Sequence, residues 1–525
     1  MRFFNTAGPV RPEKHYTIPA LSRFNLDEIL SLIDQEKYFV LHAPRQTGKT
    51  SGLLALMDYL NQQGNHRCLY VNVEMGQAAR EDVDAAMRSI LAEMASSASY
   101  YLQDETVKQF WPDILKTTGA YEAFGEMLHQ WALKSSLPLV LLIDEIDALV
   151  GDTLISVLRQ LRAGYPKRPR GFPQSVVLCG VRDVRDYRIH SSQEKSIITG
   201  GSAFNIKAKS LRLGNFKQTE VQQLFEQHTE ATGQDFEKEA LELVWSYTCG
   251  QPWLVNALGY EVCFETKANR DRVIPITAEM IGNAKENLIL RRETHLDQLV
   301  DKLQEERVRK VIEPILAGEN QPEQIPQDDL WYVRDLGLIT IEGHSQIANR
   351  IYQEVIPREM IHTTQLSITH ESAWYRRSDG TLDTTKLLLA FQEFFREHSE
   401  HWVERFQYKE AGPQLLLQAF LQRVVNAGGR IEREYGLGRM RTDLLVIWRY
   451  PHGLQKIVIE LKLLHKSLEK TIKDGLEQTA EYMDRCGSKE GYLIVFDRTP
   501  DKTWDEKIFH KTILHQENEL LVLGM

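Results

Sequence analysis

The chain of 525 residues has little cysteine and gives what it has no company. Cys68, Cys179, Cys249, Cys263 and Cys486 are scattered, with no CxxC pair and no histidine-rich stretch beside them. That excludes a disulfide-stapled scaffold and a thiolate zinc site, and it points to a reduced, cytoplasmic compartment. Long apolar runs are missing too. Nowhere do about 18 apolar residues follow one another, so no membrane span is expected. The opening Met1-Arg2-Phe3-Phe4-Asn5-Thr6 lacks the apolar stretch of a secretory signal. A basic surplus is absent, the formal net charge being -10. This excludes a uniformly basic coat but leaves room for a local basic patch, because binding follows where charge sits. The remaining composition, 42% hydrophobic and 26% charged, is that of a soluble globular protein. A chain of this length outgrows one core and implies three or four domains.

After a polar, proline-containing lead-in, Tyr38 to His42 reads as a short buried strand. A turn and a helix from about Thr50 to Leu60 follow, with Leu53, Leu54, Met57 and Leu60 on one face. Further strands are expected at Leu69–Val73, Leu137–Ile143, Val176–Val181 and Ser210–Leu213, mostly with helical patterns between them. The fold class is therefore α/β multidomain, led by a parallel sheet over residues 1–230. Residues 231–290 turn helical, broken by Gly250-Gln251-Pro252. Helices followed by a short hairpin over 291–362 suggest a winged helix, and 363–390 reads as a linker. Residues 391–525 form a second α/β unit, with a helix Leu415–Val425, strands near 443–448, 456–461 and 491–496, and a helix over 467–484.

Between the first strand and its helix lies Ala43-Pro44-Arg45-Gln46-Thr47-Gly48-Lys49-Thr50, continued by Ser51. It fits GxxxxGK(S/T) except that Ala43 replaces the first glycine. Backbone N–H groups and a helix N-terminus cradle phosphates in such a loop, and Gly48 permits close approach. Lys49 would reach the terminal phosphates and the Thr50 hydroxyl would ligate Mg²⁺. Downstream, the apolar strand Leu139–Ile143 ends in Asp144-Glu145. Asp144 is suited to the magnesium shell and Glu145 to polarising an attacking water. Either element alone is common. In this order they imply ATP binding, with hydrolysis to follow.

The loop, the Asp144-Glu145-Ile146-Asp147 signature and Val177-Leu178-Cys179-Gly180-Val181-Arg182 resemble an AAA-type ATPase of the STAND branch, over roughly residues 10–360. The resemblance implies that Arg182, just after the fourth strand, senses the γ-phosphate. It implies that Pro252, in the Gly-x-Pro of a helical lid, touches the base, and that a winged helix follows the lid. Arg159 and Arg162 would face a neighbouring subunit in a homo-oligomer; the plainer reading is surface arginines.

Near the C-terminus, Asp443 opens an apolar strand and the next strand carries Glu460-Leu461-Lys462. Alternation puts Glu460 and Lys462 on one side. If the strands are neighbours, Asp443, Glu460 and the Leu461 carbonyl supply hard oxygen ligands for Mg²⁺ or Mn²⁺, with Lys462 beside them to stabilise charge on a phosphate. This arrangement resembles the PD-(D/E)XK nuclease family over about residues 405–500, with Gln478 and Tyr482 spaced as that family's Q-x-x-x-Y and Arg439, Arg441 and Lys466 suited to a DNA backbone. One departure is that the first helix offers Gln414 and Gln418 where a glutamate is usual; Glu434 on the preceding strand is the candidate to compensate. Three readings of the whole chain stay open: an ATP-controlled DNA endonuclease, with a defence role by analogy; a nucleotide-regulated DNA-binding switch with an inactive nuclease fold; and a signalling ATPase whose C-terminal unit binds protein.

Overall fold

In the computed structural model the described residues are 2–182, 188–190, 197–199, 204–291, 294–316, 325–342, 344–360, 375–405, 417, 420–421, 429–435, 442–464, 467–497, 499, 502–516 and 518–525. They divide into two compact units, Met1–His295 with Trp331–Leu338, and Leu296–Leu330 with Ile339–Met525.

The first unit is built on β1 (Tyr38–His42), β2 (Arg67–Asn72), β3 (Leu139–Asp144), β4 (Ser175–Gly180) and, after a small hairpin of β5 (Arg188–His190) and β6 (Ile197–Thr199), β7 (Lys207–Arg212). The five long strands form one sheet in the order β2-β3-β4-β1-β7, with every pairing parallel. Strands buried on both faces must be apolar throughout, and β1, β3 and β4 are buried at every position. Successive residues feed opposite cores. Phe39 and Leu41 pack with α1 (Leu26–Asp34) and α2 (Lys49–Gln63), while Tyr38 and Val40 pack with α3 (Val83–Leu102), α4 (Thr106–Thr118), α5 (Ala120–Lys134) and α6 (Gly151–Gly164). Beyond β7 come α7 (Gln218–Thr232), α8 (Lys238–Thr248), α9 (Pro252–Tyr260) and α10 (Ala278–Arg291). The lead-in is not a loose tail. Phe4 is fully buried and meets Tyr16, Phe225 and Phe264 at ring centroid distances of 5.0, 4.9 and 6.4 Å.

The chain goes on through α11 (Thr294–Leu303), α12 (Glu306–Leu316), α13 (Gln327–Asp335), the hairpin β8 (Ile339–Glu342) and β9 (His344–Ile347), and α14 (Arg350–Met360). In the second unit α15 (Thr384–Arg405) begins inside the stretch expected as linker, because Leu387, Leu388 and Phe391 are buried core residues. The helix expected at Leu415–Val425 lies largely outside the described residues. Six strands then make one mixed sheet: β10 (Gly429–Tyr435), β11 (Thr442–Tyr450), β12 (Gly453–Leu463), β13 (Glu490–Phe496), β14 (Phe509–His515) and β15 (Asn518–Gly524), ordered β10-β11-β12-β13-β15-β14. Helix α16 (Leu468–Cys486) joins β12 to β13 in parallel and covers the face carrying Leu445, Val458 and Leu493. Gln392 of α15 ties into the sheet by donating to the carbonyls of Gly524 at 2.7 Å and Phe509 at 3.1 Å.

Candidate functional site

The loop between β1 and α2 is shaped by two left-handed residues, Gln46 (φ 56) and Gly48 (φ 92). At Gly48 the positive φ disfavours any side chain, and a Cβ there would also come within 2.8 Å of the Arg23 guanidinium, which would have to shift. Ala43, at the place of the usual first glycine, is fully buried and donates its N–H to the Gly180 carbonyl at 3.2 Å. The Thr47 hydroxyl donates to Pro44 O at 2.8 Å and closes the turn. Lys49 is only 5% exposed, and its ammonium donates to the carbonyls of Ala43 at 2.9 Å and Pro44 at 3.0 Å. The charge is thus held by neutral oxygens across the loop, in a position from which an anion can draw it. Arg45 is exposed on the rim.

Parallel pairing of β1 with β4, and of β3 with β4, delivers the acids to this loop. Asp144, the last residue of β3, has no exposed surface. Its Oδ2 accepts the Thr50 hydroxyl at 2.7 Å and its Oδ1 accepts the Glu145 N–H at 3.0 Å. Glu145 adopts a left-handed backbone (φ 56). Burial lifts its carboxyl above the ordinary value; nearby Lys49 pulls the other way, while Asp147 and Asp144 add to the rise. A buried carboxyl raised in this way is a better base once ionised. Asp147 is turned elsewhere, accepting the Val181 N–H at 3.2 Å.

Arg182 follows β4, and its guanidinium lies over the Tyr332 ring, 4.9 Å from the centroid. Pro252 opens α9, where its missing N–H costs nothing, and the Gln251 side chain accepts the Leu254 N–H at 2.6 Å. Gly250 (φ 71) is required, since a Cβ would stand 2.1 Å from the Phe216 carbonyl oxygen. Pro252 lines a pocket with Thr6, Tyr16, Arg23, Gly48 and Trp253. The lead-in forms one wall and is stitched down on both sides: Val10 N–H donates to Ser51 Oγ at 3.0 Å, and Trp253 Nε1 donates to Thr6 O at 2.9 Å. Arg23 donates to the Thr47 carbonyl of the loop and, at 2.7 Å, to the Gly214 carbonyl. Burial lowers its guanidinium to about 10. Of these residues, Thr6, Val10, Tyr16, Arg23 and Trp253 belong to no sequence motif. The visible signal was a trio of aromatics, Phe3, Phe4 and Tyr16, in an otherwise polar stretch.

In the second unit the antiparallel register of β11 with β12 pairs Leu444 with Ile459. Asp443 and Glu460 are the next residues along β11 and β12 beyond that pair. The backbone of Asp443 lies in β11 paired with Glu434, whereas the side chains of both are outside the description. Glu460 has no exposed surface and forms an ion pair with Lys462. Both share parity with Val458, which packs under α16, so they face the helix bearing Gln478 and Tyr482. Gln478 Oε1 is buried without a hydrogen-bond partner, and Tyr482, 7% exposed, belongs to the apolar core. Leu461 turns to the opposite face. Arg439, Arg441, Gln414, Gln418 and Lys466 lie outside the described residues. Among the described residues no three His, Cys, Asp or Glu side chains converge as a metal site, and no helix is long and apolar enough to cross a membrane.

No curated protein matches the chain. Among solved structures, the Walker-type ATPase of Pyrococcus abyssi is 13% identical, covers 67% of this chain and 99% of its own, and superposes with a TM-score of 0.45. The RuvB Holliday junction branch migration motor of Thermotoga maritima is 14% identical, over 63% of this chain and 94% of its own, with a TM-score of 0.33. Domain III of the replication initiation protein DnaA from Thermotoga maritima is 13% identical, over 53% and 98%, with a TM-score of 0.33. The family model described as an AAA-like domain matches residues 28–356, more than half of the sequence. With its parallel sheet, phosphate loop and strand-end acid pair, this chain belongs to the AAA-like domain family of P-loop ATPases.

Proposed function

We propose that the first unit binds ATP with Mg²⁺ and hydrolyses it, and that this cycle controls a metal-dependent DNA endonuclease in the C-terminal region. The observation that carries the ATPase reading is the hydrogen bond from Thr50 to Asp144 at 2.7 Å. It joins the end of the phosphate loop to the end of β3 before any ligand is considered. The donor set fits the cation: a hydroxyl and a carboxylate, both oxygen, both buried or nearly so. Magnesium supplies charge neutralisation at the phosphates. The chain's own residues do the rest. Lys49 gives its ammonium to the terminal phosphates, the N–H groups around Gly48 cradle them, and Glu145 takes the proton of the attacking water. The pocket of Tyr16, Pro252 and Trp253 receives the base, and Arg182 senses the γ-phosphate. In this reading residues 1–230 are the core, 231–290 the lid and 291–362 a winged helix able to contact DNA. The chain would then be a STAND-like switch, with defence against foreign DNA as its setting.

Supporting a nuclease over 391–525 are Asp443 and Glu460, each one residue beyond the Leu444–Ile459 pair of neighbouring strands, and the shared side of Glu460 and Lys462 on β12, beneath the helix that bears Gln478 and Tyr482. A rival reading, an inactive nuclease fold used as a DNA clamp, is favoured by one observation: Glu460 is wholly buried in an ion pair with Lys462. Two measurements decide. Calorimetry on Lys49→Ala should find ATP affinity abolished in a protein that still folds; retained affinity would end the phosphate-loop assignment. Plasmid cleavage with Mg²⁺ or Mn²⁺, with and without ATP, should be lost in both Asp443→Ala and Glu460→Ala. DNA binding without cleavage in the wild type would favour the clamp, and absence of both would leave a protein-binding signalling ATPase.

A further inference from the structure

Asp144 is held by one group that belongs to neither motif. Besides the Thr50 hydroxyl, its Oδ2 accepts the phenol of Tyr70 at 3.0 Å. Tyr70 sits on β2, where it pairs with Leu142, while Asn72 two residues on pairs with Asp144 itself, so the ring reaches the carboxylate diagonally from the neighbouring strand. The ring is 7% exposed and meets Tyr101 edge-on at 6.2 Å. The Asn72 side chain lies beside the same hydroxyl, and its Oδ1 accepts the Glu74 N–H at 2.8 Å. Asp144 therefore takes one donor from the phosphate loop, one from its own chain neighbour and one from β2. These donors come from separate elements and together favour one orientation of the carboxylate, which the buried Cys179 thiol of β4 also adjoins. A phenylalanine would fill the same volume on an apolar strand, so packing does not require the hydroxyl; the contact with Asp144 is what distinguishes tyrosine here.

We propose that Tyr70 is a positioning residue for the magnesium shell: its hydroxyl locks Asp144 in the orientation in which Asp144 and Thr50 together meet the cation. It rests on the ATPase reading above and adds a residue to it. Groups that orient metal-binding carboxylates change metal affinity by about 10- to 100-fold when removed. The bland account is that Tyr70 is a core tyrosine whose hydroxyl takes the nearest acceptor; it predicts a change in stability and none in metal requirement.

The test is Tyr70→Phe in the full chain, read through binding of a fluorescent ATP analogue, first in EDTA and then along a Mg²⁺ titration. The expected result is unchanged affinity without metal and about a tenfold higher Mg²⁺ concentration for the half-maximal gain. In an Asp144→Asn background, Tyr70→Phe should add no further change in Mg²⁺ requirement, because the two act as one unit. A Mg²⁺ titration identical to wild type overturns the role. So does an equal loss of affinity with and without metal, which would mark a general structural effect, or full additivity with Asp144→Asn. A wild-type protein that fails to bind the analogue overturns the ATPase reading itself and takes the Tyr70 role with it.

Discussion

Lys49 and Lys462 are both drawn in beside acids, yet their charges are balanced in different ways. Lys49 is held by two backbone carbonyls, at 2.9 and 3.0 Å, and the acid nearest in function, Asp144, is satisfied by hydroxyls and an N–H. Lys462 is paired directly with Glu460 on its own strand, the lysine side chain 14% exposed and the carboxylate buried. The first arrangement keeps cation and anion apart with neutral partners, so both remain available to a ligand carrying the opposite charges. The second neutralises itself. A metal or phosphate entering there must first replace an interaction that already compensates burial. The same residue types therefore make an open site in one unit and a self-satisfied one in the other.

The largest effect that would sharpen this contrast is on turnover. Glu145→Gln should leave ATP binding intact and lower hydrolysis by about 10²- to 10⁴-fold, the usual worth of a positioned base. Single-turnover kinetics at saturating ATP will check it; a wild-type rate in the mutant assigns the base elsewhere.

The strand-end acids and the phosphate loop were legible because β1, β3 and β4 are buried on both faces and read as unbroken apolar runs closed by polar signatures. Their register, and thus the meeting of Thr50 with Asp144, follows from parallel pairing that no local pattern encodes. What escaped was held by distant contacts or by weak periodicity. Phe4 is fixed by Phe225, far along the chain, so the lead-in could not be read as a pocket wall. Tyr70 looks like any aromatic on a buried strand. The edge strand β14 is largely exposed and carries no alternating apolar face to announce it. Helix α15 starts at Thr384 because Leu387, Leu388 and Phe391 find a core, whereas the local sequence around it is polar enough to read as a linker.

A second test addresses the self-neutralised pair. Lys462→Ala removes the ion-pair partner of a wholly buried carboxylate, and breaking such a pair costs about 3–5 kcal/mol. Glu460→Ala should cost less, roughly 1–3 kcal/mol, because the longer, partly exposed lysine can carry its charge toward water. Urea unfolding should rank the variants in that order. Equal small costs would mean that the pair is a surface decoration and that the contrast with Lys49 fails. Acid should relieve the Lys462→Ala defect, since protonating the Glu460 carboxyl removes the buried charge.

A further effect has the opposite pH sign and belongs to the first unit. His295 stacks on Trp253, a pocket residue, with ring centroids 4.7 Å apart, and burial lowers its imidazole from 6.5 to about 4. The folded state therefore binds this proton less readily than the unfolded chain. A group of this kind contributes full stability above pH 6.5, and that contribution is lost progressively as pH falls from 6.5 toward 4. The total is on the order of 3 kcal/mol for a shift of this size. His228, buried in the same unit and shifted the same way chiefly by desolvation, adds in the same direction. Melting of the wild type should thus fall between neutral pH and pH 4, and nucleotide affinity should weaken with it because Trp253 lines the pocket proposed to receive the base. His295→Phe keeps a ring against Trp253 and has no proton to gain, so it should flatten part of the slope. A slope unchanged in His295→Phe would assign the acid sensitivity to other groups, while a slope of the same sign in the Lys462→Ala defect would erase the distinction between the two units.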